Sequence, residues 1–140
     1  MTVYHSEPDL DADDFIAVLL ASGLAARRPV GDRARVGRML AEASVIVTAR
    51  DDHRLVGIAR GLTDHSFCLY LSDLAVDQRW QGHGIGRELI HRAHAEAGPD
   101  VTQLILLGAP DAETYYPHIG LRHFPQCYVV DRHAVKETIE

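Results

Sequence analysis

The sequence is poor in cysteine, nearly devoid of lysine and free of long apolar runs. Its two cysteines, Cys68 and Cys127, lie far apart and outside any CxxC. No Cys/His spacing resembles a zinc site. Both sit in apolar, strand-like surroundings and read as buried free thiols, and a structural disulfide is not expected in a cytosolic chain. No apolar run approaches the roughly 20 residues needed to span a bilayer, which speaks against a membrane partner. The start, MTVYHSEPDLDADD, has neither a basic nor an apolar leader region, so no secretory signal is expected and the cytoplasm is the default. Bases are also in deficit: 20 acids face 14 bases, for a formal charge of −6. That argues against a nucleic-acid partner, which would require a basic face, and mildly favours cationic ones. Thirteen of the 14 bases are arginine, a bias that can reflect genome composition and carries no function by itself.

What is present is ordinary for a globular chain. Its 140 residues fit one domain, expected over 1–140. With 46% hydrophobic and 24% charged residues, a disordered chain is excluded. A short strand is expected at Thr2–His5 and a helix from Asp9 to Ser22, with Asp11, Asp13 and Asp14 at the positive end of its dipole. Gly23 ends it, Leu24–Gly31 reads as a loop, and Asp32 caps a second helix to about Ala43. The period then changes to two. Val45–Ala49 and Leu55–Arg60 read as a hairpin, and Phe67–Val76 as a strand buried on both faces. A helix follows from about Gly86 to Ala97, with Ile85, Leu89, Ile90, Ala93 and Ala97 on one stripe. Val101–Leu107 reads as another buried strand, Asp111–His118 as a short helix, Gln126–Val130 as a last strand, and the tail as a final helical turn. The expected class is α/β in the α+β sense: a mixed, mostly antiparallel sheet with helices on both faces and a parallel crossover.

The most informative stretch runs from Leu74 to Arg87. A buried strand enters a Gly-rich turn that opens an amphipathic helix. The first amides of a helix have no intrahelical partner, and with the helix dipole they make an anion site. Gly82, Gly84 and Gly86 let the backbone curl and approach an anion without a Cβ in the way. A phosphate-binding loop of the Walker type would need a lysine that is absent. A dinucleotide fingerprint would need a third glycine where Arg87 stands. ATP and NAD therefore fit poorly, and a tight turn with no ligand is the bland alternative.

Gln81-Gly82-His83-Gly84-Ile85-Gly86 resembles the Q/R-x-x-G-x-G/A signature of the GNAT superfamily of acyl-CoA N-acyltransferases, and Leu74-Ala75-Val76 resembles the strand end that leads into it. Tyr115-Tyr116-Pro117-His118-Ile119-Gly120-Leu121 looks like that family's aromatic-Tyr-x-x-hydrophobic-Gly-Phe motif. The resemblance covers Val45 to Val130, and the two N-terminal helices more loosely. It implies a splayed parallel crossover and acetyl-CoA as co-substrate. The diphosphate would lie on the amides of Gly82, His83, Gly84, Ile85, Gly86 and Arg87. The pantetheine arm would pair with Leu74, Ala75 and Val76 like an added strand. Gln81 belongs to the same signature. Arg87 either adds charge to the phosphates or simply faces solvent.

The implied reaction is direct attack of a primary amine on the thioester. The amine must first lose its proton, the oxyanion needs a donor such as a strand amide near Leu74, and the thiolate needs an acid. Tyr116 matches the family's acid, with a core aromatic role as its alternative. Asp73, a carboxylate in an apolar strand, is either a base or amine anchor, or a structural acid bonded nearby. A Glu found on the next strand in some relatives is absent from Val101–Leu107, and Ala109 stands where some carry Asn. His65 sits in a turn from which it could serve as a base. His91 and His94 are three apart on a polar helix face, with no further ligand in sight, so no metal is expected. The acceptor is expected to be a small amine or a peptide amine entering near Leu24–Val30 and Asp73, and an edge strand near the C-terminus makes a homodimer reasonable. A catalytically silent acetyl-CoA-binding sensor is the alternative, and a binder of some other phosphate a weaker one.

Overall fold

The computed structural model describes residues 1–134, and the chain divides after Leu107 into two compact units. In the first unit, strand β1 (Thr2–Ser6) precedes helix α1 (Ala12–Ser22). The Asp11 side chain caps α1 by accepting from the Asp13 amide, and Asp13 and Asp14 follow in the first turn. Gly23 ends it at φ 91°, a left-handed value natural to glycine. A 3₁₀ turn (Leu24–Arg27) leads to α2 (Arg33–Ala41), capped by Asp32 on the Arg35 amide.

Strands β2 (Val45–Asp51) and β3 (Arg54–Thr63) form the expected hairpin, longer than its apolar stretches alone suggested. Asp52 and His53 close it, both with positive φ, the backbone a tight hairpin turn demands. Strand β4 (Cys68–Val76), helix α3 (Ile85–Ala97) and strand β5 (Gln103–Ile105) complete the unit. The sheet order is β1-β2-β3-β4-β5, antiparallel throughout except for the parallel β4–β5 pair.

Alternation along the strands, reset by extra residues at Val56 in β3 and Ser72 in β4, builds two cores. Val45, Val47, Ala49, Val56 and Leu71 face one side with Ile85, Leu89, Ala93 and Ala97 of α3. Ile46, Ile58 and Ala75 face the other with Phe15, Val18 and Leu19 of α1 and Val36 and Leu40 of α2. The helices therefore cover both faces of the sheet, as expected. At Gly57 the closeness of α3 leaves no room, because a Cβ there would lie 3.0 Å from Leu89 and 3.2 Å from Ile85. Gly57→Val is expected to destabilise the fold by about 1–3 kcal/mol through overpacking, read as a lower denaturation midpoint at unchanged slope.

Several local expectations are corrected. Strand β4 is not buried on both faces: Leu69 and Leu71 are buried, but Tyr70 between them is exposed. The strand expected at Val101–Leu107 is paired only over Gln103–Ile105, and Ile105 and Leu107 are exposed. An apolar run does not by itself supply a cover for both faces. Cys68 is only half-buried and Cys127 is exposed, so neither is a core thiol.

The second unit contains a 3₁₀ turn (Pro110–Ala112) and helix α4 (Tyr115–His118), not one continuous helix from Asp111. Pro117 has no N–H to bond the carbonyl of Glu113, so the turn and the helix do not fuse. Gln126–Val130 forms no strand. Its residues find no ladder partner among the described residues, and Tyr128 is 88% exposed. Of the helical turn expected in the tail, Arg132–Ala134 is a 3₁₀ turn, and 135–140 lie outside the described residues. No helix among the described residues is long and apolar enough to cross a membrane.

Candidate functional site

The site begins where β4 loses a neighbour. Pairing with β5 stops at Tyr70↔Ile105, yet β4 runs on to Val76. Opposite, β3 pairs Arg60 with Asp73 but Gly61 with Leu71, so Ser72 is an extra residue in β4. Such a bulge increases the local twist and turns the strand. Beyond it, Leu74, Ala75 and Val76 keep their ladder with β3 and, among the described residues, have no strand on their other edge. Leu74 and Val76 pack toward α3, and Ala75 enters the core under α1 and α2.

The chain then turns tightly. Buried Asp77 takes the Arg79 amide on its side chain, holds the Arg79 guanidinium at 2.9 Å, and lies 3.6 Å from Arg54. Both arginines also lie over the Trp80 ring, at 5.1–5.2 Å. Gln81 donates its side-chain amide to the Val76 carbonyl at 3.0 Å, tying the turn back to the end of β4. The His83 ring N–H similarly donates to the Trp80 carbonyl at 3.1 Å.

Gly82 and Gly84 follow with φ of +82° and +83°, a region that disfavours any side chain. A Cβ at either would meet nothing within 4 Å, so conformation rather than crowding requires glycine, and the space above them is open. Helix α3 starts at Ile85, and its first backbone bond runs from the Glu88 amide to the Gly84 carbonyl. Among the described residues, none of the backbone amides from Gly82 to Arg87 donates to a protein acceptor. Six consecutive N–H groups, the last three at the positive end of a 13-residue helix, make a concentrated anion cradle. The Arg87 side chain stands exposed beside it, with no ion-pair partner among the described residues. Ile85 and Gly86 are buried and anchor the cradle to the core.

Asp73 is completely buried. One carboxylate oxygen accepts from Nε of Arg28 at 2.5 Å and the other from Nε of Arg60. Arg28 also donates to the Ser72 carbonyl at 2.7 Å, and Arg60 to the Ser72 hydroxyl at 2.9 Å. The bulge is therefore wrapped by two guanidinium groups, one from β3 and one from the segment joining α1 to α2. Sequence reasoning did not single out these two arginines. The available signal was Asp73 itself, since a carboxylate in an apolar strand requires compensation.

His65 donates from its ring to the Ala97 carbonyl at 2.9 Å, and His94 to the Val101 carbonyl at 2.8 Å. Both serve the junction between α3 and β5.

In the second unit, Tyr116 lies in α4, with its ring centroid 5.2 Å from that of Tyr115 in an edge-on arrangement. A Cβ at Gly108 would come 3.2 Å from the Tyr116 ring, so the aromatic rests directly on glycine backbone. Burial, then Tyr115 and Asp111, raise the Tyr116 phenol above its usual value. It stays protonated and able to donate throughout the neutral range.

Residues 27–131 match the family model described as the acetyltransferase (GNAT) domain. A histone acetyltransferase of Glycine max is 26% identical over 133 residues, covering 89% of this chain and 57% of its own length. The chain spans between 30% and 57% of the length of four curated relatives that it matches. The fold is similar to that of a GNAT-family acetyltransferase of Streptococcus pneumoniae, with TM-score 0.73, 19% identity and coverage of 94% and 99% of the two chains. It is also similar to an aminoglycoside N-acetyltransferase solved in complex with CoA, with TM-score 0.72, 12% identity and coverage of 94% and 95%.

Proposed function

The chain belongs to the GNAT acetyltransferase family, and from that premise we propose that it moves an acetyl group from acetyl-CoA to a primary amine by direct attack. Acyl transfer with acetyl-CoA as co-substrate is the property of the family. The amine, the step and the residue roles are our reading. Because the family match runs through both compact units, we read 1–140 as one acyltransferase domain.

The observation that carries the reading is the run of amides from Gly82 to Arg87 that find no acceptor among the described residues, directly after a strand whose pairing with β5 has ended. In this reading the diphosphate accepts from those amides and meets the exposed Arg87. The pantetheine arm pairs with the free edge at Leu74, Ala75 and Val76, and a strand amide near Leu74 receives the oxyanion. Gln81 holds the turn against the strand end and keeps cradle and edge in register. Tyr116 gives its proton to the leaving thiolate. Asp73 serves as the structural acid, since both its oxygens are engaged by guanidinium N–H groups. Deprotonation of the amine falls to water, as β5 offers only Gln103 in place of an acid. The protein is placed in the cytoplasm, where Cys68 and Cys127 stay reduced, and as a homodimer joined at a free sheet edge.

The test is a calorimetric titration with acetyl-CoA followed by a thiol-release assay over a panel of amines. Micromolar binding with turnover is expected, and turnover should rise with pH as the amine loses its proton. Binding without turnover on any amine would favour a sensor, and no binding would overturn the site. Tyr116→Phe is expected to lower kcat by about 100-fold, within the range for loss of a general acid. Its affinity for acetyl-CoA should hold, and unchanged turnover would remove Tyr116 from the chemistry.

A further inference from the structure

The cluster at the β4 bulge is unbalanced in charge. Two guanidinium cations, Arg28 and Arg60, share the single carboxylate of Asp73. Among the described residues, no second carboxylate lies within ion-pair distance of either. A partly buried cluster left with net positive charge is costly, and an arriving anion would relieve it.

The two cations differ in access. The Arg60 side chain is 7% exposed, whereas that of Arg28 is 21% exposed. Arg28 uses three N–H groups, on Asp73, Arg27 and Ser72. A guanidinium has five such donors, so two remain, one on each terminal nitrogen, for a further acceptor. Arg28 is held at the bulge, just past the point where β4 and β5 part.

Two apolar side chains lie further along the same face of the sheet. Leu62 follows Arg60 by two residues on β3, so both face the same side of the sheet, and Leu62 pairs with Tyr70. Both Leu62 and Tyr70 are exposed. The cationic cluster therefore shares its face of the sheet with two exposed apolar side chains.

We propose that the acceptor is an amine that also carries a carboxylate and an apolar body, with Arg28 as the residue that binds the carboxylate. This rests on the acyltransferase reading and names the substrate class for that same site. It also reverses the expectation drawn from overall charge. Screening confines the field of the −6 chain to about 8 Å at physiological salt, so the guanidinium pair dominates locally.

The test uses matched amines in thiol release from acetyl-CoA: L-phenylalanine, its amide, and 2-phenylethylamine. The amide has the more easily deprotonated amine, so intrinsic reactivity runs against the carboxylate. A kcat/KM for phenylalanine about ten-fold or more above both carboxylate-free partners is expected, the size of one well-placed charge contact. Arg28→Gln should bring that ratio close to one through KM, and Arg28→Lys should retain part of it. Equal or inverted preference in an active enzyme, or an unchanged ratio in Arg28→Gln, overturns the proposal. If none of the three amines turns over, calorimetry with N-acetyl-L-phenylalanine against N-acetyl-2-phenylethylamine decides it. Preference for the carboxylate that is lost in Arg28→Gln supports it, and equal binding refutes it. Absence of acetyl-CoA binding would instead remove the acyltransferase reading, and this inference with it.

Discussion

Gly84→Glu is expected to abolish acetyl-CoA binding, with Kd rising at least about 100-fold, or roughly 2.7 kcal/mol. Two effects combine. Gly84 sits at φ +83°, where any side chain adds about 1–2 kcal/mol of backbone strain. A carboxylate at this position also stands in the open space above the cradle, among amides that favour an anion. It would repel the diphosphate and offer those amides a competing acceptor. Gly84→Ala separates the two effects: it keeps the strain, adds no charge and should lose about 30-fold or less. Calorimetry reads both, and circular dichroism confirms that α3 persists. Full affinity in Gly84→Glu would place the acetyl-CoA site elsewhere on the chain.

Asp73→Asn is expected to act on stability first. It leaves Arg28 and Arg60 without their shared carboxylate in a buried setting. Stranding a buried charge in this way costs about 3–5 kcal/mol. That is a large part of the roughly 5–15 kcal/mol that holds a domain folded. For a chain of this size it corresponds to a fall of roughly 10–20 °C in Tm. A catalytic base facing the acceptor predicts the opposite pattern, with Tm preserved and turnover lost. Thermal unfolding beside a thiol-release assay therefore distinguishes the two roles of Asp73 that its sequence context leaves open. A Tm within about 2 °C of the parent, less than 1 kcal/mol, would overturn the structural role.

These variants probe features that were unequally legible. The Gly-rich turn could be located from residues alone, because glycine spacing, a preceding apolar strand and a following amphipathic stripe are all local signals. The cap of α2 was legible for the same reason, as Asp32 bonds an amide three residues away, whereas Asp11, expected within the first turn of a helix from Asp9, is the cap of an α1 that starts at Ala12. The partners of Asp73 were not. Arg28 is 45 residues distant and Arg60 13. Which arginine reaches Asp73 depends on strand register, a bulge at Ser72 and the course of the segment between α1 and α2.

Apolar runs misled in the opposite direction. Phe67–Val76, Val101–Leu107 and Gln126–Val130 all read as strands, but a strand's burial and existence depend on what lies beside it. The first pairs on both sides over only part of its length, the second pairs over three residues, and the third does not pair among the described residues.

By itself the sequence determined the order of the elements from β1 to α4, the Asp32 cap and the place of the Gly-rich turn before α3, because each depends on contacts within a few residues. Only the tertiary structure decided where β4 parts from β5, that Asp73 is shared by two arginines, and that Arg28 is left with free donors. Those outcomes follow from strand register and from packing between distant segments, which no local pattern of residues encodes.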